Sequence, residues 1–81
     1  MTDERGNLLE RIVLDPDVLN GKPSIRGSRV PVSLILNLLG HGNTFQQILE
    51  DYPYLTEPDI RAALAYAEAR MNAEEVRVLA S

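Results

Sequence analysis

The sequence predicts a small, mainly α-helical domain in which three helices follow a short, irregular β-hairpin. The chain has only 81 residues, enough for one domain. Its N-terminal third holds two short segments of strand type separated by turn residues, and the remainder has apolar positions at helical spacing. The predicted boundaries are a flexible N-terminus at 1–7, a hairpin arm at 8–30, helices at 31–71 and a tail at 72–81.

The hairpin prediction depends on two segments. Residues 11–14 are rich in β-branched and apolar side chains, and Pro16 sets a turn directly after them. The pair Asn20-Gly21 is a second turn signal. Residues 22–27 then indicate a short extended segment that is held by a proline and ends at a glycine.

The first predicted helix covers residues 31–39. Pro31 suits a first helical turn because its fixed φ fits there and its missing N–H is not needed. Gly40 is a favourable residue for ending a helix. Apolar positions cover nearly the whole circumference of this helix, so it needs burial on more than one side. A homodimer partner is one way to cover the second side.

The second and third predicted helices give the pattern of a helix-turn-helix. Residues 44–52 begin with a capping box formed by Thr44 and Gln47, and residues 56–71 begin with Thr56 as a cap. The predicted core face of the third helix comprises Ile60, Ala63, Leu64, Ala67 and Met71. A second face of small residues on the same helix can pack against another element. Any small three-helix bundle shows similar spacing, so the helix-turn-helix is one of two interpretations.

The charge is unevenly distributed along the chain. The net charge of -4 opposes a protein that coats nucleic acid as a polycation. Residues 21–49 nevertheless hold three cations and no acid, and they lie between two acidic segments. Because cysteine is absent, disulfides and thiolate zinc sites are excluded, in keeping with a cytoplasmic location. No apolar stretch in the sequence is long enough to cross a membrane.

Three motifs carry a resemblance to a known family. They are DPxV at 15–18, GKPxIRGxRVPV at 21–32 and ILxDYPxLTxxDIRAALxYA at 48–67. Over residues 8–80 the sequence resembles the bacterial and archaeal domain-of-unknown-function family numbered 433. The family usually has threonine at the position of Ser28 and often has acids at the positions of Gln46 and Gln47, which are mild departures.

The resemblance implies a fold and a role. The implied fold is a homeodomain-like or winged helix-turn-helix over residues 8–71, with the β-hairpin as an arm. The implied role is that of a non-catalytic antitoxin in a type II toxin–antitoxin pair, which neutralises a PIN-like ribonuclease toxin and autoregulates its operon. The alternative function is a free-standing, DNA-binding transcriptional regulator.

Three cations before the first predicted helix are the candidate phosphate contacts. Lys22, Arg26 and Arg29 are the only charges in the acid-free segment, and a guanidinium can fork to a phosphate or to a guanine edge. Dimerisation would double them, which matters because few charges release few counterions. The alternative is that an arginine pairs with a nearby aspartate and braces the hairpin against the helices. The aspartates considered are Asp15, Asp17 and Asp51.

The start of the third predicted helix would read bases if the protein bound operator DNA. Thr56 and Arg61 are the candidate contacts there. Residues 57–75 hold two arginines against five acids, which repel phosphate. Arg61 can instead pair with Glu57, four residues earlier on the same helix face.

The acidic end of the third helix and the tail are the candidate surface for a toxin. A ribonuclease must present a cationic groove to RNA, and acidic side chains beside apolar ones can occupy such a groove. The candidate partner-binding residues are Glu68, Glu74, Glu75, Val76, Val78 and Leu79.

The sequence predicts no catalytic residue, cofactor, metal site or small-molecule substrate. His41 is the single histidine, and without cysteine it cannot build an ordinary zinc site. Residues 21–24 resemble the end of a phosphate-binding loop, but Pro16 stands in place of the upstream glycine and Pro23 removes an N–H. The chain is therefore predicted not to be an enzyme.

Overall fold

Four helices and one two-stranded sheet make up the computed structural model, which describes residues 4–74. In chain order the elements are α1 (Glu4–Leu9), β1 (Ile12–Val13), β2 (Ser24–Ile25), α2 (Val32–Gly40), α3 (Phe45–Asp51) and α4 (Glu57–Glu74). The predicted mainly helical fold with a short hairpin is confirmed at this level. Within residues 4–74, no helix has the length and hydropathy required to span a membrane.

The two strands pair in antiparallel orientation but are very short. Ile12 lies opposite Ile25, and Val13 lies opposite Ser24. The residues between them form turns instead of strand. The Asp15 carboxylate accepts a hydrogen bond from the Asp17 N–H at 2.9 Å, and Leu19–Gly21 forms a turn in which all three residues have positive φ. Because the residues between the strands form these turns, they cannot extend the strand pairing. The hairpin is therefore short and irregular, as the sequence predicts.

Helix α2 is displaced by one residue from its predicted start. Pro31 has extended backbone angles and precedes the first helical residue, while Gly40 is the last helical residue. The left-handed conformation falls on Gly42, with φ of 95°. The carbonyl of Leu38 accepts from both the backbone and the side-chain N–H of Asn43, at 3.1 and 3.0 Å. The predicted glycine ending is therefore real but belongs to Gly42, because α2 continues through Gly40.

Helix α3 begins as predicted. The N–H of Gln47 donates to the Thr44 hydroxyl at 3.1 Å, and the Gln47 side-chain oxygen accepts from the Thr44 N–H at 2.8 Å. Both bonds of the capping box are present. They satisfy two backbone donors that a helix start otherwise leaves without partners, which explains why a helix of only seven residues begins at this point.

The core is aliphatic and draws one isoleucine from each of four elements. Ile25 of β2, Ile35 of α2, Ile48 of α3 and Ile60 of α4 are all at most 1% exposed. They pack with other buried residues in one cluster, comprising Val30, Val32, Leu55 and Ala63. The helices and the hairpin are thus held together by a single contact set.

Helix α4 buries part of its predicted core face and part of its predicted small-residue face. Ile60 and Ala63 are buried as predicted, but Leu64 is 41% and Met71 is 61% exposed. Ala62, on the predicted small-residue face, is fully buried. Helix α1 packs against α4 more extensively than any other two elements of residues 4–74 pack together. The sequence analysis did not predict α1, because its residues are mostly polar and show no helical periodicity.

Candidate binding surfaces

Arg26 braces the N-terminal part of the chain. Its Nε and Nη2 atoms donate to the carbonyl oxygen of Glu10 at 3.1 and 2.7 Å, and its backbone N–H donates to the carbonyl of Arg11 at 2.7 Å. Bracing was one of the two interpretations of this arginine. The acceptor is a backbone carbonyl, however, and not one of the three aspartates considered. These bonds fix the guanidinium and use two of its five N–H donors, so fewer donors are left for a phosphate.

Arg29 is exposed and lies on a tight loop. Its φ is +60°, a left-handed conformation that residues with a side chain seldom adopt. The neighbouring Ser28 stabilises the loop, since its hydroxyl donates to the Ile25 carbonyl at 3.0 Å and accepts from the Val30 N–H at 3.1 Å. In the described part of the chain Arg29 forms no ion pair. Phosphate contact through Arg29 stays a prediction.

Arg29 also lines a cavity of about 290 Å³ on the outer face of the hairpin. Asp15 and the fully buried Ser24 belong to the same lining. The Ser24 hydroxyl has no hydrogen-bond partner. Arg26 lines it as well, so two guanidiniums and one carboxylate share this cavity, and the carboxylate reduces its attraction for an anion.

The ion pair that links the hairpin to the helices was not found by sequence reasoning. Nη1 of Arg11 lies 3.1 Å from Oδ1 of Asp59, whose side chain is 11% exposed. Oδ2 of Asp59 accepts from the Thr56 N–H at 2.9 Å. The three-residue spacing of Thr56 and Asp59 is that of a capping box and could have predicted the bond between the Thr56 N–H and the Asp59 carboxylate. Nothing in the sequence connects Asp59 to Arg11, 48 positions away.

The predicted DNA contacts at the start of α4 are exposed. Thr56 and Arg61 both face solvent. Nη2 of Arg61 lies 3.7 Å from Oε2 of Glu57, and both side chains are more than half exposed. The alternative interpretation of Arg61, a pair with Glu57 on the same helix, is thus present in the structure. A pair this exposed contributes roughly 0.5 kcal/mol or less, so a phosphate or base can compete for Arg61.

The predicted toxin-binding set is only partly covered by residues 4–74. Glu68 is exposed on α4, and Glu74 is the last described residue. Glu75, Val76, Val78 and Leu79 lie outside the described residues. Leu64, Glu68 and Met71 follow the spacing i, i+4, i+7, which places them along one stripe of the helix. This stripe, residues 64, 68 and 71, combines two exposed apolar side chains with a carboxylate.

A groove of about 510 Å³ lies between α2 and α4 and was not predicted. Its apolar lining includes Val32, Leu36, Tyr66 and Met71, and two cations, Lys22 and Arg70, also belong to it. Lys22 therefore does not form a cluster with Arg26 and Arg29. Apolar residues on more than one side of the first predicted helix were the only sequence signal for this surface.

Among the described residues the structure brings together no cluster of metal-ligating side chains. No group of three or more histidine, cysteine, aspartate or glutamate side chains converges there. His41 is exposed in the turn after α2, with Nδ1 2.8 Å from the Asn37 carbonyl oxygen.

Comparison with known proteins gives two similar proteins and one family. Residues 12–67 match the family model described as "Protein of unknown function (DUF433)". The chain is 37% identical over 67 residues to the uncharacterized protein y4eO of Sinorhizobium fredii (strain NBRC 101917 / NGR234). The matched region covers 83% of this chain and 30% of that protein. It is also similar to the crystal structure of a DUF433 member protein from Anabaena variabilis ATCC 29413, with a TM-score of 0.71 and 33% identity over 79% of this chain and 63% of that one.

Proposed function

The chain belongs to the DUF433 family, and we propose that it is the non-catalytic antitoxin of a type II toxin–antitoxin pair. It binds a PIN-like ribonuclease toxin and neutralises it. The chain spans less than a third of the length of the curated relative that it matches. The proposal therefore concerns this chain and not the rest of that relative.

The exposed stripe on α4 is the observation that supports this function. Leu64 and Met71 are 41% and 61% exposed, and Glu68 lies between them on the same face. A ribonuclease needs a cationic groove for RNA, and an acidic helix with apolar anchors can fill such a groove in place of the substrate. Glu74, Glu75, Val76, Val78 and Leu79 extend the same chemistry along the sequence.

Inhibition of the toxin tests the proposal. The product of the neighbouring gene is purified, and cleavage of RNA by it is measured while the full chain is titrated in. We expect inhibition near equimolar ratio, and we expect Leu64→Lys to raise the inhibition constant by about tenfold or more. The substitution removes an apolar anchor and places a cation against a cationic groove. The expected loss is of the size found for residues at the centre of protein interfaces.

The matched control is Leu14→Lys, which makes the same chemical change at a position 58% exposed on the hairpin loop. It should leave inhibition unchanged. Cleavage that continues at full rate in an excess of the unaltered chain would overturn the antitoxin proposal. Equal loss of inhibition in both variants would show that the α4 stripe is not the contact surface.

A DNA-binding regulator is the second candidate function, either as autoregulation by the antitoxin or as an independent role. We propose that α2, α3 and α4 form a homeodomain-like helix-turn-helix with the hairpin as its arm. The capped start of α3, the short connection to α4 and the exposure of Thr56 and Arg61 favour this arrangement. The occupied Arg26 and the acids of α4 weaken the attraction for phosphate.

The expected DNA affinity is therefore modest and sensitive to salt. In a gel-shift titration of the upstream DNA, Arg29→Ala should weaken binding a few-fold and reduce the salt dependence by about one counterion. Arg70→Ala removes another exposed cation, on the distal part of α4, and serves as the control. Salt-independent binding, or an equal loss in both variants, would contradict phosphate contact through the hairpin.

A further inference from the structure

We propose that the groove between α2 and α4 binds a small amphipathic anion, an alkyl carboxylate, with its hydrocarbon chain on the apolar floor and its carboxylate at the cations of the lining. Neither the antitoxin function nor DNA binding includes such a ligand, and the inference depends on neither of them. It follows from the floor of the groove, from its charge and from its size.

The floor of the groove is apolar and is fixed by contacts within the fold. Val32 is 3% exposed and belongs to the core cluster, and the half-buried Leu36 and Tyr66 pack against that cluster. The N–H of Val32 donates to the carbonyl oxygen of Pro23 at 2.9 Å, which ties the residues before β2 to the start of α2. Core packing and a backbone hydrogen bond therefore set the walls, as is usual for pockets that bind small molecules.

The charge of the groove favours an anion. Its charged lining residues are Lys22 and Arg70, both exposed, and no acid among the described residues belongs to the lining. Within residues 4–74 neither cation forms an ion pair, and the Tyr66 hydroxyl has no hydrogen-bond partner. A guanidinium can bind a carboxylate through two parallel N–H donors, and an ammonium or a phenol can add one more. The groove thus combines an apolar floor with donors suited to a carboxylate.

The size of the groove favours a small molecule over a protein partner. Its volume of about 510 Å³ lies within the range of roughly 300–1,000 Å³ that is typical of small-molecule pockets. A stable protein interface takes about 20–30 residues from each side, whereas nine described residues line this groove. An acidic peptide would also bring backbone N–H and C=O groups onto an apolar floor that offers them few partners. A hydrocarbon chain brings none.

Calorimetric titration of the full chain with decanoate measures this binding directly. We expect one ligand per chain. The affinity should rise by about twofold or more for each methylene added between hexanoate and decanoate, because each one removes apolar surface from water. Decylammonium has the same chain and the opposite charge, and it should bind about tenfold more weakly or not at all. Binding that is independent of the chain length, or of the sign of the charge, would overturn the proposal.

Two variants identify the groove as the site. Lys22→Gln combined with Arg70→Gln should weaken decanoate binding by about fivefold or more but leave the binding of neutral octan-1-ol unchanged. Ser33 is an exposed lining residue, so Ser33→Glu places a carboxylate beside the cations and should weaken decanoate binding by about tenfold. Gln46→Glu adds the same charge at the exposed second residue of α3, as Ser33 is the second of α2, and serves as the control. Circular dichroism checks that every variant remains folded.

The remaining outcomes also decide the question. Decanoate that binds all variants equally would lie elsewhere on the chain, which would refute the assignment to this groove. A groove that takes a peptide of alternating glutamate and leucine but not decanoate would be a protein-binding surface, and the proposal would be wrong. These titrations contain neither toxin nor DNA, so their failure is distinguishable from failure of either proposed function.

Discussion

Replacing Ile60 by alanine is expected to lower the free energy of unfolding by about 3 kcal/mol, within the range found for large-to-small changes in protein cores. Ile60 is fully buried and belongs to the cluster in which four elements meet. The loss combines the transfer of the removed methyl and methylene groups with the cavity that they leave. Domains have about 5–15 kcal/mol of stability, so this variant loses a large share of it. Urea denaturation followed by circular dichroism measures the change.

The control lies one turn further along the same helix. Leu64→Ala removes a side chain that is 41% exposed. Its cost should stay below about 1 kcal/mol, because partial burial yields little transfer free energy and no closed cavity forms. An equal loss in the two variants would contradict the observed orientation of α4 and would favour the core face that the sequence predicts.

The error in that predicted face has a physical cause. Helical spacing identifies a stripe, and a leucine on a stripe is normally assigned to the core. In α4 the fully buried Ala62 and Ala63 are neighbours in sequence, so the helix is covered on two sides. Helix α1 packs against α4, and its formation depends on packing rather than on its own residue pattern. A small side chain lets another backbone approach closely, which hydrophobicity alone does not reveal.

Signals confined to a few neighbouring residues were predicted well. The capping box of Thr44 and Gln47 is present with both hydrogen bonds, because the two residues and the backbone groups that they satisfy lie within one turn. The end of α2 is an exception, since the sequence predicts Gly40 as the terminating glycine and the left-handed residue is Gly42. Two glycines so close together offer the chain alternative endings, and the packing of α2 decides between them.

Contacts across the fold could not be predicted in the same way. Arg26 donates to a backbone carbonyl, and a carbonyl is common to every residue and leaves no trace in the sequence. Arg11 and Asp59 are brought together only by the packed helices and hairpin. The three cations of the acid-free segment accordingly lie in two different surroundings. Lys22 joins the groove, whereas Arg26, which also braces the N-terminal segment, shares a cavity with Arg29 and Asp15.

This separation bears on the choice between the two candidate functions. A cluster of three cations would form a phosphate-binding patch, whereas two arginines beside an aspartate and a lysine in another groove attract phosphate more weakly. The exposed apolar side chains on α4 need a different explanation, and binding to protein partners provides one. The balance of these surfaces is the reason for placing the antitoxin function before DNA binding.

Replacing Asp59 by alanine is expected to lower the free energy of unfolding by about 2 kcal/mol. The carboxylate makes two contacts at once, with the Arg11 guanidinium at 3.1 Å and with the Thr56 N–H at 2.9 Å. Loss of a capping hydrogen bond typically costs about 1 kcal/mol. The ion pair adds a similar amount at most, because the Arg11 side chain is 44% exposed and water screens it. Denaturant titration again provides the measurement.

Asp59→Asn separates the two contacts, since an amide oxygen can still accept from the Thr56 N–H while the charge is lost. It should cost about half as much as alanine, and a double-mutant cycle with Arg11→Met should give a coupling energy of about 0.5–1 kcal/mol. Raising the salt from about 0.1 M to about 1 M should reduce the coupling but leave the difference between asparagine and alanine unchanged. A zero coupling at low salt would mean that the hairpin is held to α4 by the isoleucine core alone. In that case Asp59 would contribute only to the start of the helix.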